Sequence, residues 1–210
     1  MPKLRIILCA CFLLTEQPLV AQSEPEKDEY VIVRQDEKIT LYERWTPFPG
    51  TATNARQVKG VFHVVTSLNN MFATIHQEAK IKAWQKSIVE FKFIPKTDTT
   101  WLIYSLYEIP WPLTNQDYLL SYRLLEKNDN RIILSFEHSS DVALAPIKDD
   151  VDRTPTFGTW VLDKVSTEKI KVTYTVTSMP VSYPRFITDR IVRNNLMSTM
   201  NTLIAIAENK

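Results

Sequence analysis

Between Lys169 and Thr177 the chain alternates with a period of two: Ile170, Val172, Tyr174 and Val176 share one face, and Lys171, Thr173, Thr175 and Thr177 share the other. That alternation predicts an antiparallel strand with one dry side and one wet side. The pattern breaks at Pro180. Beyond Tyr183-Pro184 the spacing becomes helical, with Leu196, Met197, Met200, Leu203, Ile204 and Ala207 on one arc and Asp189, Arg190, Arg193, Asn194 and Asn195 in the preceding turns. A terminal helix carrying such a stripe must bury it, here as a lid over a sheet. Shorter alternating runs at 39–45, 57–66, 87–94, 100–109, 117–126, 131–138 and 156–164 bring the strands to about eight. Between the second and third, Leu68, Met71, Phe72, Ile75 and Ala79 are spaced for one short helix with Ser67 as its N-cap. Asn128-Asp129-Asn130 and Val165-Ser166-Thr167 carry hairpin chemistry, so the later strands are expected to form an antiparallel meander. Runs of strands closed by a terminal helix give an α+β class.

Two further strands share this logic. Tyr118, Leu120, Tyr122 and Leu124 lie on one face of the run at 117–126, and Ile132, Leu134, Phe136 and His138 on one face of the run at 131–138. Together with Ile170, Val172, Tyr174 and Val176 they belong under the terminal helix. A filled core accounts for each residue singly. The tyrosines favour a cavity, because a buried hydroxyl needs a partner that a ligand or water can supply.

The amino-terminal segment changes the compartment. Lys3 and Arg5 precede an apolar stretch from Ile6 to Leu14, and Ala21 ends a plausible cleavage site, so 1–21 is read as a secretory signal peptide and 22–29 as a polar linker. The apolar stretch is far short of the roughly 20 residues that span a bilayer. A rival reading takes Leu8-Cys9-Ala10-Cys11 as a lipoprotein box anchored through Cys11, but Phe12, Leu13 and Leu14 continue the apolar core past it. Both cysteines fall in this leader, so the exported chain has no disulfide or thiol chemistry. Residues 30–210 are then one domain, sized to bury a substantial core.

Once the leader is removed, basic and acidic residues balance, which leaves no electrostatic footprint for nucleic acid. With only 3 glycines, Gly50, Gly60 and Gly158, neither a phosphate-binding loop nor a nucleophile elbow can be drawn. His63, His76 and His138 lack metal-ligand spacing and are expected on strand or helix surfaces. His138-Ser139-Ser140-Asp141 holds triad residue types, but sequence neighbours point in different directions. Asp149-Asp150-Val151-Asp152 lacks the glycine and glutamate of a calcium loop. No cofactor or metal is expected. Of the 5 tryptophans, Trp45, Trp84, Trp101 and Trp160 are expected in the core, and Trp111, between Pro110 and Pro112, on an exposed loop able to touch a membrane.

The order of these elements and a set of local strings resemble the START (StAR-related lipid transfer) domain of the helix-grip superfamily, in its exported bacterial form. Ala83-Trp84 resembles the family's tryptophan after its first internal helix. Pro110-Trp111-Pro112-Leu113-Thr114-Asn115-Gln116-Asp117-Tyr118 resembles its proline-rich loop and Arg-Asp-Phe motif. Phe157-Gly158-Thr159-Trp160-Val161-Leu162 resembles its glycine-aromatic strand, and Tyr183-Pro184-Arg185-Phe186-Ile187 its Ile-Pro-x-Trp-Leu lead-in to the terminal helix. The similarity spans most of 30–208.

The resemblance implies a curved antiparallel sheet wrapped around a long C-terminal helix, with a hydrophobic tunnel that holds one lipid. Its expected lining is Tyr118, Leu120, Tyr122, Leu134, Phe136, Val172, Tyr174, Val176, Met197, Met200 and Ile204. The implied work is transfer or sequestration outside the cytoplasm, periplasmic or secreted, by a monomer in transient contact with a membrane, with no catalysis. Two alternatives remain: a helix-grip cyclase or hydrolase using Tyr122, His138 and Tyr174, and a non-lipid binding module with a filled core. Gln116 replaces the family's arginine, so an ionic contact near that loop is expected to be missing, and Met179-Pro180-Val181-Ser182 lacks the usual glycines. Tyr122 stands where sterol-binding relatives often carry a charge, which leaves the ligand open.

Overall fold

The computed structural model describes residues 29–85, 87–109, 111, 113–180 and 185–209, without the side chains of 185–187. The leader with Cys9 and Cys11, nearly all of the 22–29 linker, Pro110, Pro112 and the Tyr183-Pro184 step lie outside the described residues.

The alternating runs become strands: β1 (Val31–Gln35), β2 (Ile39–Pro47), β3 (Asn54–Val64), β4 (Ile88–Thr97), β5 (Thr100–Tyr107), β6 (Asn115–Lys127), β7 (Arg131–His138), β8 (Val151–Arg153), β9 (Thr156–Ser166) and β10 (Lys169–Ser178). They form one sheet in the order β1-β2-β3-β10-β9-β7-β6-β5-β4, antiparallel throughout except for β8, which pairs in parallel with the start of β6. The eight expected strands are all present, and β1 and β8 are additional. β1 is an edge strand with Val31 and Ile32 exposed, so it carries no dry face to betray it. β8 is three residues long and sits where β7 has ended along β6. It interrupts the expected meander between β7 and β9, which nevertheless pair with each other.

Hairpins close at 128–130 and, between β9 and β10, at Thr167-Glu168, shifted toward the C-terminus from the expected Val165-Ser166-Thr167. The single internal helix is two: α1 (Leu68–His76) and α2 (Glu78–Trp84), separated by Gln77 in extended conformation. Ser67 caps α1 as expected, accepting from the Asn70 amide at 3.1 Å. The break lets α2 turn back, so that the Trp84 indole donates to the Thr74 carbonyl at 2.9 Å. Ala79, spaced as an apolar helix position, is consequently exposed on α2.

The terminal helix α3 (Arg185–Glu208) lies against the dry face. Gly60 sets its seat, and Gly158 shapes the sheet beside it. A Cβ on Gly60 would collide with the Met200 thioether, so β3 is bare where α3 presses closest. A Cβ on Gly158 would collide with the Thr175 carbonyl and with the Phe136 ring, which lies across β9 at this point. The main core joins Phe62, Leu134, Leu162, Ile170 and Val172 of the sheet to Met197, Leu203, Ile204 and Ala207 of α3. A smaller core, with Leu102, Tyr104, Leu106, Leu119 and Ala145, fills the outer face under the β7–β8 loop.

Candidate functional site: a cavity under the terminal helix

The cavity follows from register. Across the sheet, Trp101 of β5 pairs with Tyr122, Tyr122 with Phe136, Phe136 with Gly158, Gly158 with Val176 and Val176 with Val58. Because side chains alternate, this row and those beside it, Ile103-Leu120 and Ser105-Tyr118, project toward the helices. Where the helices stand off from these rows a cavity of about 500 Å³ remains, closed by the first half of α3, by Ile75 of α1 and by Ile81 and Trp84 of α2.

Seven of the eleven expected lining residues face it: Tyr118, Leu120, Tyr122, Phe136, Tyr174, Val176 and Met200. The other four, Leu134, Val172, Met197 and Ile204, pack into solid core instead, each 0–6 % exposed. They share the same faces but lie where α3 touches the sheet directly. Lining residues missed by sequence reasoning include Val58, Ile103, Tyr107, Trp160, Val192 and Leu196. Trp160 sits on an alternating strand and carries the same face signal as its neighbours, whereas Ile103 sits on β5, which is buried on both faces and has no alternation to tell one from the other.

The wall is aromatic. Tyr174 lies 4.2 Å from Trp160, Tyr122 lies 5.2 Å from Phe136 and 5.6 Å from Trp101, and Tyr107 meets Tyr118 edge-on at 5.6 Å. At the end nearest the β5–β6 loop the lining turns polar. There the Tyr107 hydroxyl donates to Gln85 Oε1 and the Tyr118 hydroxyl to Gln116 Oε1, both at 2.8 Å. Burial pushes the Tyr107 hydroxyl up to about 12. Burial also raises Tyr118, Tyr122 and Tyr174 well above the ordinary tyrosine range, the neighbouring tyrosines adding to the effect. The surroundings therefore disfavour negative charge. The exposed liners Ser87, Glu108 and Pro180 mark an opening at this end.

A network of charges clamps the first half of α3 beside the cavity. Arg193 holds the buried Glu43 in a bidentate pair at 2.9 and 2.7 Å, and Arg56 binds Asp189 at 2.5 Å while lying 3.7 Å from Glu43. Glu43 and Arg56 occupy dry-face positions of β2 and β3, in line with Leu41 and Val58. A charge at an apolar beat of an alternating strand was the available sign of this clamp.

The loop from β5 to β6 is held from outside. Gln116 was expected to leave an ionic contact missing, but the next residue supplies one: buried Asp117 accepts two bonds from Arg153 of β8 at 2.9 and 2.6 Å. Trp111 on that loop is 91 % exposed, while its neighbours Ile109 and Leu113 line the cavity. Trp84, Trp101 and Trp160 are buried as expected, and Trp45 is half-buried on the cavity wall.

The histidines divide. His63 is exposed on β3 as expected. His76 is not a surface residue: its ring is wedged against Trp101 at 4.3 Å and stacked on Phe72, and burial, aided by Lys127, lowers its pKa. The Nδ1 atom of His138 is buried too, and His138 is not among the cavity liners, unlike Tyr122 and Tyr174. Asp149, Asp150 and Asp152 are exposed, and among the described residues no group of three His, Cys, Asp or Glu side chains is placed to hold a metal ion. Among those residues no helix is long and apolar enough to cross a membrane.

No family model and no curated protein matches this sequence. Solved structures do. Human StAR-related lipid transfer protein 5 superposes with a TM-score of 0.73 at 14% identity, over 87% of this chain and 88% of that one. A STAR-related lipid transfer protein from Xanthomonas axonopodis gives 0.70 at 20% identity, over 85% and 98%. The Zhui aromatase/cyclase from a Streptomyces species gives 0.55 at 11% identity, over 73% and 94%. The chain therefore has the START helix-grip fold, α+β, with its C-terminal helix against an open curved antiparallel sheet.

Proposed function

We propose that this protein binds a single lipid in the cavity under α3 and carries or sequesters it outside the cytoplasm, as a monomer, without making or breaking a bond. START-like neighbours point to a hydrophobic ligand, and the observation that carries the finer reading is the cavity of about 500 Å³ walled by Trp84, Ile103, Tyr122, Phe136, Trp160 and Leu203. Such a wall repays removal of an alkyl chain from water at about 0.8 kcal/mol per methylene. A chain of about sixteen carbons thus gains roughly 12 kcal/mol before the costs of binding, enough to compete with a bilayer.

Exchange with a membrane needs a contact point at the opening. Trp111 suits it, being a nearly fully exposed indole on the loop whose Ile109 and Leu113 line the cavity. No nucleic-acid role is assigned, and no chemical step; of the cyclase or hydrolase candidates, Tyr122 and Tyr174 line the cavity and His138 does not. Export rests on the amino-terminal leader, and an intact mass placing the mature terminus near Gln22 tests it.

Lipid mass spectrometry on purified protein tests the carrier reading. One stoichiometric lipid is expected, lost in Tyr122→Trp with the fold kept. A dry parent, with Tyr122→Trp destabilised by the roughly 1–3 kcal/mol of an overpacked core, rejects it.

A further inference from the structure

The lining is not uniform, and its gradient specifies a ligand. At the inner end stand Ile75, Ile81, Trp84, Trp160, Met200 and Leu203, with no charged side chain among them. At the end beneath the β5–β6 loop stand two tyrosine–glutamine pairs, Tyr107 with Gln85 and Tyr118 with Gln116, brought face to face because Tyr107 and Gln116 are register partners on β5 and β6. Each pair uses one hydroxyl proton and one amide oxygen. Among the described residues, what is left over is the two amide NH₂ groups as donors and, beside the bonds from Ser105 to Tyr107 and from Thr154 to Tyr118, one lone pair on each phenol oxygen as acceptor. Turning either amide over exchanges these roles and still leaves both kinds.

A ligand group that both donates and accepts satisfies this set. A carboxylate or phosphate does not, because a buried anion needs a counter-charge. Among the described residues the cavity's one lysine or arginine liner, Arg56, is already committed to Asp189 at 2.5 Å and faces Glu43. Burial of Tyr107 and Tyr118, raising both hydroxyls, reports the same hostility to negative charge.

Volume sets the tail. With a heavy-atom group taking about the 30 Å³ of a liquid water, a cavity of about 500 Å³ holds on the order of seventeen such groups. One long alkyl or isoprenoid chain with a small head fits. A two-chain lipid needs at least double the space before its headgroup is counted.

We infer that the cavity takes one uncharged single-chain amphiphile with a hydroxyl head, its chain running toward Trp84 and Leu203 and its hydroxyl set between Gln85, Tyr107, Tyr118 and Gln116. This rests on the carrier reading above and adds the ligand's size, charge and direction. Gln116 and Tyr118 are its specificity-determining residues.

The test is equilibrium binding to the full-length protein, followed by tryptophan fluorescence, of four probes: 1-hexadecanol, hexadecane, palmitate at neutral pH, and phosphatidylcholine in vesicles. Hexadecanol is expected to bind at least about tenfold more tightly than hexadecane or palmitate, and phosphatidylcholine not to be extracted. Gln116→Leu and Tyr118→Phe should each weaken hexadecanol about 3- to 10-fold and leave hexadecane unchanged, with circular dichroism matching the parent. Palmitate binding as well as hexadecanol, or variants that weaken both neutral probes alike, overturns the hydroxyl subsite. Phosphatidylcholine extracted in place of hexadecanol overturns the single-chain ligand while leaving the carrier reading intact. Binding of none of the four defeats the carrier reading, and this inference with it.

Discussion

The two halves of α3 do opposite work with one continuous helix. From Met197 to Ala207 it is glued to the sheet: Met197, Ile204 and Ala207 are 0–6 % exposed and face no cavity, Met200 and Leu203 close the cavity's inner end, and Asn70 donates to the Ala207 carbonyl at 3.0 Å to hold the end. From Thr188 to Leu196 it bridges the cavity, with Ile191, Val192 and Leu196 facing space, and ion pairs to Glu43 and Arg56 stand in for packing. Hydrophobic contact is non-directional and cannot be undone without unfolding, whereas a few charge-assisted bonds beside solvent can open singly. A carrier needs one of each. The second half stores stability, and the first half can part from the sheet while the rest stays folded.

The largest effect should come from cutting the glued half. Ile204→Ala removes a fully packed side chain from a site that cannot collapse, so denaturant unfolding should show a loss of about 2–5 kcal/mol. Ligand affinity measured where the variant is still folded should match the parent, since Ile204 does not line the cavity. A variant that lost affinity with no loss of stability would make the two halves one functional unit.

Alkaline pH attacks the cavity beneath the other half, because Tyr107, Tyr118, Tyr122 and Tyr174 all line it and all have raised pKa values. Tyr107 moves from its ordinary 10.0 to about 12 on folding. A raised pKa means that its contribution to stability is fully present below pH about 10 and is withdrawn as pH rises through about 12. At about 1.4 kcal/mol per unit this one group withdraws on the order of 2–3 kcal/mol. Unfolding free energy followed against pH should fall across that window, and Tyr107→Phe should shrink the fall.

The division between the halves explains what could be read from the sequence. Strand faces were legible because period-two alternation is a local property: the shared faces of β6, β7 and β10 and the stripe on α3 are all observed. Cavity against core was not, because Tyr174 and Val172 share one face of one strand and differ only in whether α3 has reached the sheet above them. That is decided by where the helix sits, to which α1, α2, β2 and β3 all contribute. The split between α1 and α2 carries no glycine or proline to announce it. β8 is specified by the Asp117–Arg153 pair across 36 residues, which no window of periodicity can see. Glu43 and Arg56 were visible as charges on dry faces, and their meaning lay in partners more than 130 residues away.

Releasing the clamp should cost less than cutting the core. Glu43→Ala leaves Arg193 partly exposed and still 3.6 Å from Asp189, so the loss is expected at about 1–3 kcal/mol, below that of a sealed ion pair. Its distinguishing mark is local. Amide hydrogen exchange should quicken in 188–196 and stay slow in 197–207, and ligand uptake from vesicles should be faster at unchanged capacity. Uniform quickening along α3 would show that the clamp serves the whole helix and that the halves are not separate.

The smallest change in stability should give the sharpest change in ligand. Val192 is only half-buried and faces the cavity, so Val192→Ala takes methyl groups from a wall that already borders empty space. The usual penalty of a new void barely applies, and about 0.5–1 kcal/mol is expected, near the low end for a lost pair of methyls. The cavity, however, grows by roughly two methyl groups, each worth about 0.8 kcal/mol when a ligand fills the gap. A series of straight-chain alcohols should therefore shift its optimum toward one or two carbons longer in Val192→Ala, with thermal stability little changed. The matching truncation in the glued half, Met197→Ala, should do the reverse, lowering stability and leaving the preferred chain length where it was. If both variants moved the optimum alike, the space above the tyrosines would extend under the whole helix, and the boundary near Leu196 would have no functional meaning.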